Sequence, residues 1–265
     1  MALTALLGSG VATSVVLMQD ATADPRRPGR CWKQAVLGLV VCAVLQALAP
    51  PVRAGRLPRY GGNIRVELGM LPANLDPASL IGEDGRLVAS CLYEGLTRWG
   101  AAGLEPAIAR GWVQSDDARR WVFHLRTDAE FHDGSPCDAE AISASFHHLA
   151  DPRESRFAWI LQDLEGWADF ASGRTQVLEG VYVVSPSEIE LQFTRPVPDL
   201  PARLAMPAAS IVRWLGLLPI GTGPFRAVNV APGTLRLVAF ESYHEGRPFF
   251  DGIDFVTDAD LELTP

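Results

Sequence analysis

From residue 60 onwards the apolar positions recur with two periods. Asn63 to Leu68 alternates, with Ile64, Val66 and Leu68 on one face, and predicts a half-buried strand opened by the Gly61-Gly62 turn. Pro72 to Pro77 reads as a loop. Arg86 to Trp99 carries Leu87, Val88, Cys91, Leu92 and Leu96 at helical spacing and predicts a helix. A turn at Gly100 to Gly103 follows, then a second alternating strand at Trp121 to Arg126. After a turn at His132-Asp133-Gly134, Ala139 to Leu149 presents Ile142, Phe146 and Leu149 as one helical stripe. Asp138 is placed to accept from the free N–H groups at its start, and Asp151-Pro152 ends it.

The remaining pattern is β-rich. Val181 to Val184 and Glu188 to Phe193 flank a Ser-Pro-Ser turn and predict a hairpin, which Pro196, Pro198 and Pro201 stop. Phe225 to Val230 and Leu235 to Phe240 flank Pro232-Gly233 and predict another. Gly252 to Val256 reads as a last short strand. Hairpins mixed with helices point to an α/β or α+β protein.

Residues 1–54 follow different rules. They carry Arg26, Arg27, Arg30, Lys33 and Arg53 against Asp20 and Asp24, a net +3, which leaves −11 on the remainder of a chain whose total is −8. A basic n-region (26–33) precedes an apolar h-region (35–49), broken by Pro50-Pro51. Val52 and Ala54 stand at −3 and −1 of a cut after Ala54, the pattern of a secretory signal peptide. The apolar run is shorter than the roughly 20 residues of a membrane span; if uncut, it would leave the protein membrane-anchored. Residues 1–24 fit no part of this pattern and suggest a start placed too far upstream. Export leaves Cys91 and Cys137, as a pair in an oxidising space or as two buried thiols.

The acidic balance argues against nucleic acid as a partner. No metal site is expected: there is no His-x3-His or Cys-x2-Cys spacing, and His147 and His148 point about 100° apart on one helix. His132, Asp133 and Ser135 lie in one short turn and supply none of the spatial convergence that acyl transfer needs, so no catalytic residue is assigned. Gly221-Thr222-Gly223-Pro224 lacks the lysine of a phosphate loop, and Pro224 removes a donor; it reads as a tight turn. The six tryptophans beyond the leader mostly sit in strand or helix patterns and read as core rather than as a carbohydrate platform.

Several blocks in order carry a resemblance. Leu92-Tyr93-Glu94-Gly95-Leu96 is followed by Leu104-Glu105-Pro106-Ala107-Ile108-Ala109 with Trp112, then Ser115-Asp116-Asp117, Trp121 to Arg126, and Phe131-His132-Asp133-Gly134-Ser135-Pro136. Pro219-Ile220-Gly221-Thr222-Gly223-Pro224-Phe225, Tyr243 and Gly246-Arg247-Pro248 complete the series. From about Tyr60 to Phe255 the chain resembles the family 5 extracellular solute-binding proteins of ABC transporters, the dipeptide- and oligopeptide-binding type.

The resemblance implies an α/β, type 2 periplasmic-binding-protein-like fold with lobes that close on a ligand by a hinge. It implies segments 55–80 and 210–265 of the ligand lobe around an extra flanking domain, 81–209. Family members are longer and run on into a second lobe. The connection at Ser210 to Leu218 is also short for the family. The expectation is therefore a partial first lobe plus the flanking domain, second lobe missing, as in a truncated product. The implied function is extracytoplasmic binding of a solute, a peptide first and nickel or another solute otherwise. It would be performed as a periplasmic monomer delivering to an ABC permease in the inner membrane, with no cofactor and no covalent chemistry. Rival expectations are a remnant that binds nothing tightly and, third, a hydrolase using His132. The implied ligand contacts are Met70, Leu71, Pro72, Ala73 and Asn74, whose backbone would pair with an extended peptide, and an aromatic at Phe157 or Trp159.

Overall fold

The computed structural model describes residues 60–216 and 218–257. The leader, with its n-region, h-region and cleavage site, lies outside the described residues, as does the chain from 258.

Two four-stranded sheets each gather a hydrophobic core. The first combines β1 (Asn63–Glu67) with β10 (Phe225–Ala231), β11 (Thr234–Ala239) and β12 (Gly252–Val256), in the order β1-β12-β11-β10. β1 and β12 run parallel, and the other pairs are antiparallel. Alternation puts Leu235 and Leu237 of β11, with Ile253 and Phe255 of β12, on the core face. Helix α1 (Gly82–Leu92) supplies Val88, Ala89, Cys91 and Leu92 to the same core.

The second sheet is antiparallel throughout, in the order β4-β5-β7-β6: β4 (Ala109–Gln114), β5 (Arg120–Leu125), β6 (Val181–Ser185) and β7 (Glu188–Gln192). Its core holds Trp121, Phe123 and Leu125 from β5 and Ile189 and Leu191 from β7. Helix α2 (Ala139–Ala150) covers it with Ile142, Phe146 and Leu149, all buried as the stripe predicts. The Asp138 side chain accepts from the Ala141 N–H at 3.0 Å, a cap worth about 1 kcal/mol. A 3₁₀ turn (Ala158–Leu161) and the short helices α3 (Trp167–Ala171) and α4 (Leu200–Leu204) close the periphery. Two small hairpins complete the fold: β2 (Thr97–Gly100) with β3 (Gly103–Pro106), and β8 (Arg213–Leu215) with β9 (Leu218–Ile220).

One expected helix is corrected. The pattern from Arg86 to Trp99 predicts a single helix, but α1 spans Gly82–Leu92 and Thr97 opens β2. Tyr93 is already extended, at φ −133°. The carbonyls of Gly95 and Leu96 accept from the N–H groups of Ala107, Ile108 and Ala109, so the chain is paired with its neighbours there and not with a further helical turn; a β-carbon on Gly95 would stand 2.4 Å from the Leu204 oxygen, which requires glycine at this close approach. Most of the tryptophans are core as expected: among the described residues Trp121 is fully buried, Trp112, Trp167 and Trp214 pack against a core, and Trp99 and Trp159 are exposed.

The two cores meet along one seam. Gly221 and Gly223 press on the end of α1, where added β-carbons would lie 2.0 Å from the Leu92 oxygen and 2.5 Å from the Leu92 carbonyl carbon. The Gly223 N–H donates to Leu92 O at 3.0 Å. His132, in the turn after β5, donates its main-chain N–H to Gly221 O and its Nε2–H to Gly223 O at 3.0 Å, with its ring edge-on to Phe240. The Gly-Thr-Gly-Pro segment is thus a close-packing joint.

Replacing Gly221 by Ala is expected to cost about 1–3 kcal/mol by overpacking. Gly111→Ala, where a β-carbon meets nothing within 4 Å, should change stability by less than about 0.5 kcal/mol. Thermal melts of both variants decide this; equal melting temperatures would refute the joint. Burial, only partly offset by the bond to Gly223, pushes the His132 pKa below the ordinary histidine value of 6.5. The neutral ring therefore stabilises the fold above pH 6.5, and this contribution drains away as pH falls from there through the depressed folded value. His132→Gln should remove up to about 1.4 kcal/mol per pH unit of that acid slope. Urea titrations between pH 7.5 and 5 that show one slope for both proteins would contradict it.

Candidate functional site

The loop after β1 and the turn between β10 and β11 come together where the parallel pair ends. Leu68 N–H donates to Val256 O at 2.8 Å, and Thr257 N–H to Gly233 O at 3.2 Å, so both chains leave the sheet side by side. The carboxyl ends of parallel strands are where open α/β sheets place ligands. Here they border an open groove of about 290 Å³. Leu71, Pro72, Ala73 and Leu75 wall one side, and Val230 to Leu235 the other. Gly233, at φ 78°, makes the tight turn of the second wall. A second cavity of about 430 Å³ adjoins it through Leu75 and Val230 and reaches the His132-Asp133 turn.

The first wall is held from below. Asp84, in the first turn of α1, accepts the Met70 N–H at 3.1 Å. The Tyr93 hydroxyl donates to Leu75 O at 2.7 Å. Burial, and secondarily Asp76, push the Tyr93 phenol above its usual range, so it stays a protonated donor. Asn74 Oδ1 accepts the Asp76 N–H at 3.0 Å, and Asp76 Oδ1 accepts the Ala78 N–H at 2.9 Å. Between these anchors, no hydrogen bond among the described residues engages the main chain of Leu71, Pro72 or Ala73. The wall is therefore fixed at both ends and offers free peptide groups at its middle.

Of the five loop residues expected at the ligand, Leu71, Pro72 and Ala73 line the groove, while Met70 and Asn74 do not; Met70, Ala73 and Asn74 are exposed, and Leu71 packs on the smaller core. Phe157 and Trp159 lie elsewhere. Phe157 packs against the larger core, and Trp159 sits 42% exposed under the Arg203 guanidinium, 5.9 Å from the ring centre. Neither borders the groove. Sequence reasoning does not find Asp76, Asp84 or Tyr93 as anchors, nor Val230 to Leu235 as the opposite wall. The one available signal is Tyr93 inside the Leu92-Tyr93-Glu94-Gly95-Leu96 block, whose hydroxyl at a helix end needs a partner when buried.

The other chemistry-bearing residues are engaged in structure. Asp133 Oδ1 accepts from the Ser135 N–H and hydroxyl, and Arg213 bridges to Asp133 Oδ2 at 3.3 Å. His132 is occupied at Gly223, away from Ser135. Cys91 and Cys137 are unpaired and buried; burial raises both thiols, Cys91 to about 11. Among the described residues no group of three or more His, Cys, Asp or Glu is arranged to hold a metal ion, and no helix is long and apolar enough to cross a membrane.

Comparison with known proteins is consistent with this geometry. Residues 103–261, more than half of the chain, match the middle region of the bacterial extracellular solute-binding proteins, family 5. The chain is 34% identical over 132 residues to the periplasmic murein peptide-binding protein MppA of Escherichia coli, covering 48% of this chain and 24% of MppA. It is 29% identical over 216 residues to the periplasmic oligopeptide-binding protein OppA of the same organism, covering 77% of this chain and 40% of OppA. Among solved structures, the periplasmic binding protein AgaA of A. tumefaciens R10, in complex with agropinic acid, superposes with a TM-score of 0.66 at 26% identity, over 76% of this chain and 40% of AgaA. The chain thus spans about a quarter to two fifths of the length of these relatives. With the ordered sequence blocks, the mixed α/β fold and the matched region in agreement, the chain belongs to family 5 of the bacterial extracellular solute-binding proteins.

Proposed function

We propose that this chain binds a solute outside the cytoplasm for an ABC-type importer, and that the solute is a peptide held along the groove beside Leu71 to Ala73. One observation carries the site: a wall anchored by Asp84 and Tyr93 leaves the main chain of residues 71–73 without internal partners, beside the carboxyl ends of β1 and β12. Free peptide groups suit an extended ligand that bonds through its own backbone. That makes recognition tolerant of side-chain sequence. The peptide class is supported by the relatives MppA and OppA, which are peptide-binding by name.

In this reading, β1 and β10–β12 are the ligand lobe and the core of β4–β7 and α2 is the flanking domain; α1, inside the expected flanking segment 81–209, packs on the core of the lobe instead, so the boundary moves to the end of α1. Phe157 and Trp159 sit on the flanking side, and their contact with ligand rests on the resemblance alone. The leader directs export with a cut after Ala54, and the exported monomer docks to a permease.

Calorimetry with trialanine and mixed tri- to pentapeptides should give binding heat. Ala73→Trp, which fills the groove from an exposed position, should weaken it at least about tenfold, or 1.4 kcal/mol, without lowering the melting temperature. Peptide binding unaffected by Ala73→Trp would place the site elsewhere, and absence of heat with every peptide would favour the remnant expectation. Mass spectrometry of the exported protein should find Gly55 at its N-terminus; an exported chain that keeps residues 1–54 would contradict cleavage.

A further inference from the structure

The groove wall has another neighbour besides Asp84 and Tyr93. His148 stands in the last turn of α2, and its ring lies on Trp214 of β8, with centroids 4.7 Å apart. Its Nε2 is buried and has no hydrogen-bond partner. The Asp76 Oδ2 lies 3.8 Å from it, beyond hydrogen-bond range by about half an ångström or more. On the other edge of the ring, Nδ1 is 4.0 Å from Glu154.

The charged groups around this ring are nearly all of one sign. From the segment after α2 come Glu154 and Asp151, the latter already held below its usual range, chiefly by Arg153 and in small part by His148. Arg153 is the cation on that side, and it is chelated by Asp151. From the groove wall comes Asp76. β8 contributes the Trp214 face, while its Arg213 reaches away to Asp133. On α2 itself, His147 is turned aside: its Nδ1–H donates to Ser143 O at 2.8 Å, and its Nε2 accepts the Leu178 N–H at 3.3 Å. The carboxyl end of α2 adds partial negative charge. A protonated imidazole at this place is attracted by three carboxylates, a helix end and an aromatic face. A neutral one leaves a buried nitrogen idle. Histidine is the side chain that ordinarily changes charge between pH 5 and 8.

Asp76 is also well placed to transmit a pull. Its side chain holds Ala78, its N–H is held by Asn74, and its carbonyl accepts from the N–H groups of Ser79 and Leu80. A small displacement of Asp76 therefore carries residues 74–80 with it. We propose that His148 is a positioning residue which, when protonated, draws the groove wall inward through Asp76, so that wall order and peptide affinity both rise as pH falls. The affinity half rests on the groove being the peptide site; the ordering half does not.

The test follows amide exchange of residues 76–80 by mass spectrometry at pH 5.5 and 7.5, corrected for intrinsic rates and referenced to α2. The full chain is compared with His148→Gln and with Asp76→Asn, which keeps the acceptor for Ala78 but loses the charge. The parent should be protected about threefold more at pH 5.5, the size of a part-exposed ion pair, and both variants should show no such dependence. Protection that ignores pH in the parent, or a pH dependence that survives in a folded variant, overturns the proposal. If circular dichroism shows one variant unfolded, the other decides. Trialanine affinity of the parent should rise over the same interval, and its rise should vanish in the variants. No trialanine heat at either pH, with the exchange profile intact, would overturn the affinity half together with the peptide site and support the ordering half.

Discussion

The carbonyl oxygen of Leu92 occupies the space that a side chain on Gly221 would need, and the rest of the structure is arranged around that contact. It lies at the end of α1, just where the chain becomes extended at Tyr93 and the Gly-Thr-Gly segment passes. It brings β9 and β10 against the core that α1 shares with β11 and β12. It also presents the Gly221 and Gly223 carbonyls to His132, which lies in the turn between β5 and α2 of the other core. Thr222 is wholly buried between the two glycines, and its hydroxyl finds no partner, a cost of about 1–3 kcal/mol borne by a segment chosen for thinness. Two close backbone approaches and one unsatisfied hydroxyl are understandable only if the seam itself is what must be kept.

A polar network holds the seam in register. Glu94, next but one after the end of α1, is buried, and its carboxylate accepts from the Tyr243 hydroxyl at 2.8 Å and meets His244 Nε2 at 2.7 Å. Arg98 lies 3.6 Å from Glu94 and forms a bidentate pair with Glu245. The segment 243–245 comes from the β11 side and Arg98 from β2, so the network ties both cores to the single joint. A buried ion pair is weak evidence for stability, since desolvation offsets most of its attraction. Its value lies in specificity: removing one partner strands a buried charge at a cost of about 3–5 kcal/mol, so alternative packings of the two cores are disfavoured.

Much of this was legible from residue pattern. The strands at β1, β5, β10–β12 and the β6–β7 hairpin follow from alternation, and α2 from its cap and stripe. The ordered blocks identify the family. What was not legible depends on contact between distant segments. Apolar spacing at Leu92 and Leu96 continues a helix on paper; in space the Gly95 and Leu96 carbonyls accept instead from the N–H groups of Ala107, Ile108 and Ala109. β3, β4, β8 and β9 lack clean alternation and form because neighbours accept their hydrogen bonds. For the site, Met70 to Asn74 was readable as a loop with ligand potential. The opposite wall at Val230 to Leu235 was not, because only the parallel pairing of β1 with β12 puts that turn beside the loop. Phe157 packs against the larger core and Trp159 lies under Arg203, positions set by contacts between distant segments that residue spacing does not show.

A groove wall can be rigid while leaving its own backbone free only if the rigidity comes from elsewhere. A loop that bonded internally at residues 71–73 would need no anchors but would have nothing to offer an extended ligand. A loop without anchors would offer the same groups but lose backbone entropy of about 1–2 kcal/mol per residue on binding. This chain separates the two demands. Asp84 and Tyr93 grip Met70 and Leu75 on either side of the free stretch, Asp84 from the first turn of α1 and Tyr93 from just past its end. α1 is in turn fixed by the glycine contact at its carboxyl end, beside Tyr93. The order of the free stretch is therefore supplied by the seam between the cores, some way from the groove. In this arrangement, the larger core steadies the wall through α1 without lining the groove, and the sequence block around Tyr93 and the Gly-Thr-Gly block act on α1 from two segments.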